Sequence, residues 1–459
     1  MASAKTSART GRLPVLPVPH HVRWPLGYAA AALLVFLAYY YMVPSLPEQG
    51  QQFFQTWLPL SSVNEALVWV ICALGLNIVV GYAGLLDLGF VAFWALGGYT
   101  AGWLMSGHFY QVNLHFLSGA QSSAVGVHVN FWFVLLIGGA FCALWGVIIG
   151  APTLRLKSDY LALVTLGFGE IIPQVFTNGD DIGGFNLTNG ARGITPVDPI
   201  TIGGFTLGPF DLVYKFVVFV VIAAVVMFIS LRLREGRLGR AWLAIREDEL
   251  AASMMGVPLM RTKLAAYAVG AVAGGLAGVA FATHVGGVLP DRFNFSISIT
   301  LLAMVVLGGM GNVWGVTLGA LVLAWINSTG LPQMGNTINE NLGTDINFPS
   351  YNFLLFGGIL VLMMIYRREG ILPEARTKLV LREPSRTERE ALGADMEEAA
   401  PELDEALEAE DAELEAAANA PAADVVVADA MVADAVAATG AEGTEGTEDG
   451  LGEKAGNTI

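Results

Sequence analysis

At 459 residues, 54% of them hydrophobic and only 14% charged, with a mean hydropathy of +0.57, this sequence excludes an ordinary soluble enzyme and points to an all-α, polytopic helical membrane protein. The formal net charge of −16 describes a tail: residues 388–459 hold 21 acids and 2 bases, or −19, which leaves +3 for everything before them. That composition gives no reason to expect nucleic-acid binding.

Residues 1–26 form a basic, Pro-rich segment carrying Lys5, Arg9, Arg12 and Arg23 ahead of a long apolar run. The run is longer than the core of a cleaved signal peptide and lacks a small-residue cleavage site, so it reads as an uncleaved first span over about 26–43. The following loop, 44–62, has no Lys or Arg. The positive-inside rule therefore puts the N-terminus in the cytoplasm and this loop outside. Second and third spans are expected near 63–80 and 85–105, joined by the tight GYAGLLDLG turn. Loop 106–130, with three histidines and no base, reads as external.

A fourth span, 131–150, returns to a cytoplasmic turn marked by Arg155 and Lys157. Residues 160–176, interrupted by Gly167, Gly169 and Glu170, read as a span or a broken helix lining a path. The polar segment 177–211 is external, and span 212–230 leads back to the inside. Next, 264–284 carries Gly270, Gly274, Gly275 and Gly278; the G-x-x-x-G spacing permits close helix packing. Residues 297–326 present two short apolar pieces split by LGGMGNVWG, expected to be half-helices flanked by external loops, the second over 327–350 with Glu340 and Asp345. The last span, 353–366, ends at Arg367 and Arg368. About nine or ten membrane elements result, within a permease-like body over 27–366. Residues 367–381 form a basic juxtamembrane segment, and 382–459 an acidic Ala/Glu-rich tail expected to be disordered.

Cys72 and Cys142 each lie in an apolar run and read as buried packing residues. No P-loop, H-E-x-x-H, G-x-S-x-G, strand-linked G-x-G-x-x-G or paired histidine motif occurs, so no catalytic residue, metal site or cofactor is expected. The most ordered loop is 231–263, with Arg232, Arg234, Arg237, Arg240, Arg246, Arg261 and Lys263 against Glu235, Glu247, Asp248 and Glu249. Within it REDELAASMMG favours a helix over about 244–255, stopped by Gly256-Val257-Pro258. A single helix places Ala244, Asp248 and Ala251 on one face, and Glu247, Ala251 and Met254 on a neighbouring stripe. Such a knob suits a groove on a cytoplasmic partner. The alternative, a helix resting on lipid, is opposed by few large apolar anchors and a cluster of three acids.

Four blocks then carry a resemblance: ALGLNIVVGYAGLLDLGFVAFWALGGYTAG (73–102), LRLKSDYLALVTLGFGEII (154–172), GRLGRAWLAIREDELAASMMGV (236–257) and LAMVVLGGMGNVWGVTLGALVL (302–323). In content, order and spacing they resemble the LivM-type membrane permease of branched-chain amino acid ABC importers. The resemblance implies a non-catalytic transport subunit of the bacterial inner membrane, with both termini cytoplasmic. Its implied partners are a second homologous permease, two cytoplasmic ATPases that bind the ATP, an external binding protein and membrane lipid. It also implies a coupling element formed by Ala244, Arg246, Glu247, Asp248, Glu249, Ala251, Ala252 and Gly256. The more general importer pattern E-A-A-x-x-x-G is matched by Ala251, Ala252 and Gly256, but Leu250 stands where Glu is expected. Polar groups at membrane depth, Asn77, Asp87, Thr165 and Glu170, are candidates for the translocation path or for structural hydrogen bonds. Other readings stay open: another amino acid, an amide or urea as cargo, or an ion-gradient-driven secondary transporter, which also uses broken helices.

Overall fold

The computed structural model describes residues 20–117, 124–156, 158–202, 204–208, 210–343, 347–367 and 370–372. Lys5, Arg9, Arg12, Lys157, Arg368, Asp345, the side chain of Arg23 and the acidic tail lie outside the described residues. Helices dominate because the apolar runs must satisfy their backbone hydrogen bonds internally. Helix α1 (His20–Leu37) passes through a π-helical turn (Ala38–Met42) into α2 (Val43–Ser45), followed by α3 (Glu48–Trp57). Helix α4 (Leu60–Leu76) ends in a second π-helical turn (Asn77–Tyr82). Then come α5 (Val91–Leu104), α6 (Phe131–Thr153), α7 (Ser158–Thr177), α8 (Leu212–Glu235), α9 (Arg237–Glu247), α10 (Glu249–Met254) and α11 (Leu259–Val285). Helices α12 (Phe295–Gly308), α13 (Val313–Trp325), α14 (Leu331–Leu342) and α15 (Asn352–Tyr366) complete the body. Among the described residues, 9 helical stretches are long and apolar enough to cross a bilayer.

Helix α11 is the hub, packed on α4, α5 and α6, with α8, α12 and α13 gathered round α4. Its glycines face different neighbours. Gly270 meets Gly75 and Val79 of the α4 region, Gly274 and Gly278 meet α5, and Gly275 meets Gly138 and Cys142 of α6. Both cysteines are free and buried. Helices α1 and α15 lie at the periphery with mostly exposed apolar side chains, as lipid-facing helices do.

Four sequence expectations are corrected. The third span does not start at 85: residues 83–90 are non-helical, and α5 begins at Val91. That irregular backbone survives at depth because side chains satisfy it. Thr165 Oγ1 accepts from Leu88 N (3.1 Å), Asp87 Oδ1 from Gly89 N (2.8 Å) and Ser298 Oγ from Val91 N (3.2 Å). The loop expected over 44–62 contains α3. The pieces around LGGMGNVWG are not short half-helices, since Pro290–Gly308 spans 19 residues and Val313–Leu342 spans 30. The loop expected to begin at 327 instead continues α13 through a π-helical turn (Ile326–Gly330) into α14. Pro332 lies inside this continuous stretch, directly after the π-helical turn, the kind of local adjustment that accommodates a residue without an N–H in a membrane helix.

The arginine-rich loop, the turns at 81–84 and 309–312 and residues 370–372 gather at one end of the bundle. At the opposite end β1 (Met105–Ser106), β2 (Leu114–Phe116) and β3 (Val127–Val129) form a small sheet in the order β1-β3-β2. There β3 runs antiparallel to β1 and parallel to β2. A hairpin, β4 (Thr201–Ile202) and β5 (Phe205–Thr206), lies in the next connecting segment.

Candidate functional site

At the basic end, α9 and α10 form a bent pair. Trp242 is the anchor of α9: its indole N–H donates to Thr262 O (2.8 Å), and its ring stacks on Tyr82 with centroids 6.5 Å apart. The expected continuous helix over 244–255 breaks at Asp248, which is extended (φ −154, ψ 112). Its Oδ1 accepts from Leu250 N (2.8 Å) and Ala251 N (3.0 Å), so Asp248 caps a new six-residue helix. An aspartate that satisfies backbone donors locally in this way competes with helix continuation. Ala244, Asp248 and Ala251 therefore do not share one face.

Which residues look outward also differs from expectation. Ala252, placed by sequence at the partner surface, is 4% exposed and packs inward. Ala244 is half-buried, and Lys263, itself buried, pairs with Glu249. Gly256 closes α10 with φ +81, a conformation that favours glycine. Arg246, Glu247, Asp248, Glu249 and Ala251 are exposed. Beside them Leu250, Met254 and Met255 are 67%, 77% and 85% exposed, three large apolar side chains presented together on a short, well-anchored element. Sequence reasoning placed Met254 on the partner-facing stripe but did not pick out Leu250 or Met255 as docking side chains. The adjacent methionines before Gly256 were the available signal, since adaptable Met side chains are frequent at binding surfaces.

This surface is linked inward. The Arg246 guanidinium donates to Gly81 O (2.5 Å), in the π-helical turn that ends α4. Asn77, at the start of that turn, accepts at Oδ1 from Gly311 N (2.9 Å) in the GGMGN turn. A Cβ at Gly81 would lie 2.1 Å from Asn77 Oδ1 and 2.6 Å from Gly311 N, so only glycine lets the two turns meet. Asn312 caps α13 by accepting from Trp314 N (3.1 Å), and its amide donates to Leu372 O (3.0 Å). Replacing Asn77 by leucine should strand the buried Gly311 N–H and lower stability by about 1–3 kcal/mol. Thermal unfolding in detergent measures this, and a wild-type midpoint would refute the linkage.

The other polar candidates separate into two places. Asp87 and Thr165 are buried against each other and Tyr267, where they support the irregular backbone before α5. Asp87 does not cap α5 itself, whose N-cap is Phe90. Glu170 stands apart, on the exposed side of α7 with Gln174 and Asn178.

At the opposite end a cavity of about 750 Å³ is lined by residues of both connecting segments, among them His108, Tyr110, Phe185, Asn186 and Asn189. Nearby, His128 Nδ1 lies 2.7 Å from Asp198 Oδ2, and His115 stacks on His128 at 5.0 Å. Burial pushes the Asp198 carboxyl above its ordinary range, and the His128 contact opposes the shift. Among the described residues no cluster of His, Cys, Asp or Glu is arranged to hold a metal ion.

The family model described as the branched-chain amino acid transport system / permease component matches residues 58–364. The chain is 35% identical over 337 residues to the high-affinity branched-chain amino acid transport system permease protein LivM of Escherichia coli, covering 69% of this chain and 70% of that one. It is 26% identical over 344 residues to the probable branched-chain amino acid transport permease protein LivM of Methanocaldococcus jannaschii, covering 69% and 95%. The LivH permease protein of Salmonella typhimurium is 21% identical over 319 residues, covering 68% and 93%. No solved structure matches.

Proposed function

This chain belongs to the family of branched-chain amino acid transport permease components, and from that premise we propose that it is one membrane subunit of an ATP-driven importer of leucine, isoleucine and valine. It pairs with a second, homologous permease and with two cytoplasmic ATPases. An external binding protein delivers the amino acid. The basic end lies in the cytoplasm, following the positive-inside rule, and both termini lie on that side of the bacterial inner membrane.

One observation carries the coupling part of this reading: α10 and its C-cap expose Leu250, Met254 and Met255 while Trp242, Ala252 and Lys263 tie the pair α9–α10 to the bundle. A surface of that kind transmits a push instead of absorbing it. Closure of the ATPases moves α10. Arg246 passes the movement to the Gly81 carbonyl, and Asn77 passes it to the GGMGN turn between α12 and α13. Coupling of this kind requires partner contacts that differ between two states of the membrane bundle. The chain itself performs no chemistry, and ATP hydrolysis belongs to the partners.

Reconstitution into liposomes tests the reading. Branched-chain amino acid uptake is expected only when both permeases, the ATPases, the binding protein and ATP are present. Uptake by this chain alone, driven by an imposed ion gradient, would replace the importer with a secondary carrier.

A further inference from the structure

Helix α7 carries a carboxyl group that no other described residue pairs with. With about 1.5 Å of rise per residue, Glu170 lies roughly 18 Å above Ser158 at the basic end and roughly 10 Å below Thr177 at the other. It is therefore at hydrocarbon depth, yet it is exposed, and no ion pair or hydrogen bond to a described residue neutralises it. An ionisable group facing lipid at that depth is costly, and such groups face water, a bundle interior or an opposite charge.

The surrounding face divides into two edges. At about 100° per residue, Glu170, Gln174, Gly167 and Asn178 fall along one polar edge, while Ile171 and Val175 fall along an adjacent apolar edge. All but Gly167 line one open groove that also touches Ile182. The opposite face of α7, with Leu161, Thr165, Gly169 and Phe176, is buried in the bundle. Among the described residues no element covers the polar edge, and its chemistry is unsuited to lipid. Its groups are one carboxyl group with two carboxamides above it, spaced one helical turn apart.

We infer that the Glu170–Gln174–Asn178 edge lines a water-filled path at the seam with the second permease, and that Glu170 receives the ammonium group of the amino acid passing through. This rests on the importer reading above. An amino acid carries a cationic and an anionic group. Glu170 suits the first by charge, and Gln174 and Asn178, as amide donors, suit the second. A lysine or arginine of the second permease is the competing source of the same cation.

Single-cysteine scanning in the assembled importer tests the path, and uptake kinetics test the ligand. Cys72 and Cys142 are both buried and give little background. The pairs Glu170→Cys/Ile171→Cys and Gln174→Cys/Val175→Cys are each matched in depth. A charged, water-soluble thiol reagent is expected to modify the first member of each pair at least about tenfold faster, because it acts on thiolates reached by water. Equal rates within pairs would overturn the path. Glu170→Gln should lower uptake at saturating binding protein by at least about tenfold, with Glu170→Asp recovering part of it, as expected for a lost charge-assisted contact. Co-purification with the second permease is retained. If Glu170→Gln instead dissociates the permease pair, the cation belongs to the neighbour and the ligand assignment falls. Failure of the wild-type assembly to take up branched-chain amino acids would overturn the importer reading itself. Normal wild-type uptake with an inert Glu170→Gln change would overturn only this inference.

Discussion

Replacing Gly278 by valine is expected to prevent α11 from seating on α5 and to leave little folded protein. A Cβ at Gly278 would lie 2.2 Å from Trp94 O and 2.6 Å from Gly98 N. Both atoms are backbone, so neither can rotate away, and the two central helices would have to separate. Separation would open the aromatic cluster in which Trp94 meets Trp69 at 4.6 Å and Phe281 at 5.1 Å. Overpacking in a core costs about 1–3 kcal/mol, and a clash between two backbones belongs at or beyond the upper end. Gly358→Val supplies the control, because a Cβ there meets nothing within 4 Å. Size-exclusion profiles and thermal midpoints in detergent should fall for Gly278→Val and stay unchanged for Gly358→Val. Equal behaviour of the two variants would mean that α5 and α11 do not touch as described.

That contact also shows what the sequence could convey. The spacing of Gly270, Gly274 and Gly278 announced a tightly packed helix, since glycine has no other frequent use at such intervals in an apolar run. Spacing alone did not reveal that Gly275 serves a different neighbour, Cys142 of α6. The apolar spans were legible because hydrophobic length follows from the bilayer itself. Two of the boundaries missed share one cause: a polar side chain choosing a backbone partner far away or locally. Residues 83–90 stay irregular because Thr165 and Ser298, 77 and 207 positions away, supply acceptors. Helix α9 stops because Asp248 caps α10, where helix propensity alone favoured continuation. Ala252 looked like a partner-facing small residue, and the break turned it inward. Asn77 was legible as an unusual polar group in an apolar span. Its partner, Gly311 at 234 positions' distance, was not.

The break at Asp248 sets the second large prediction. Because the helix is interrupted, Leu250, Met254 and Met255 are the exposed apolar side chains of the docking surface proposed above, and a substitution there should separate binding from folding. The double change Leu250→Glu/Met254→Glu is expected to abolish co-purification with the ATPases and coupled uptake, while the thermal midpoint of the isolated chain stays at its wild-type value. Fully burying each such side chain contributes about 1.5–3 kcal/mol, so losing two weakens association by roughly two to four orders of magnitude. The fold is spared because both side chains are already exposed and neither makes a hydrogen bond through its side chain within the bundle. Ala252→Arg behaves differently: at 4% exposure it has no room for a guanidinium, and it should lose stability and coupling together. Arg246→Ala gives a third pattern, in which the ATPases still bind but hydrolysis no longer drives uptake, because the contact to the Gly81 carbonyl is gone. The three variants therefore distinguish docking, folding and transmission within a single loop. Wild-type uptake by the Leu250→Glu/Met254→Glu chain would show that the ATPases engage some other part of the basic end.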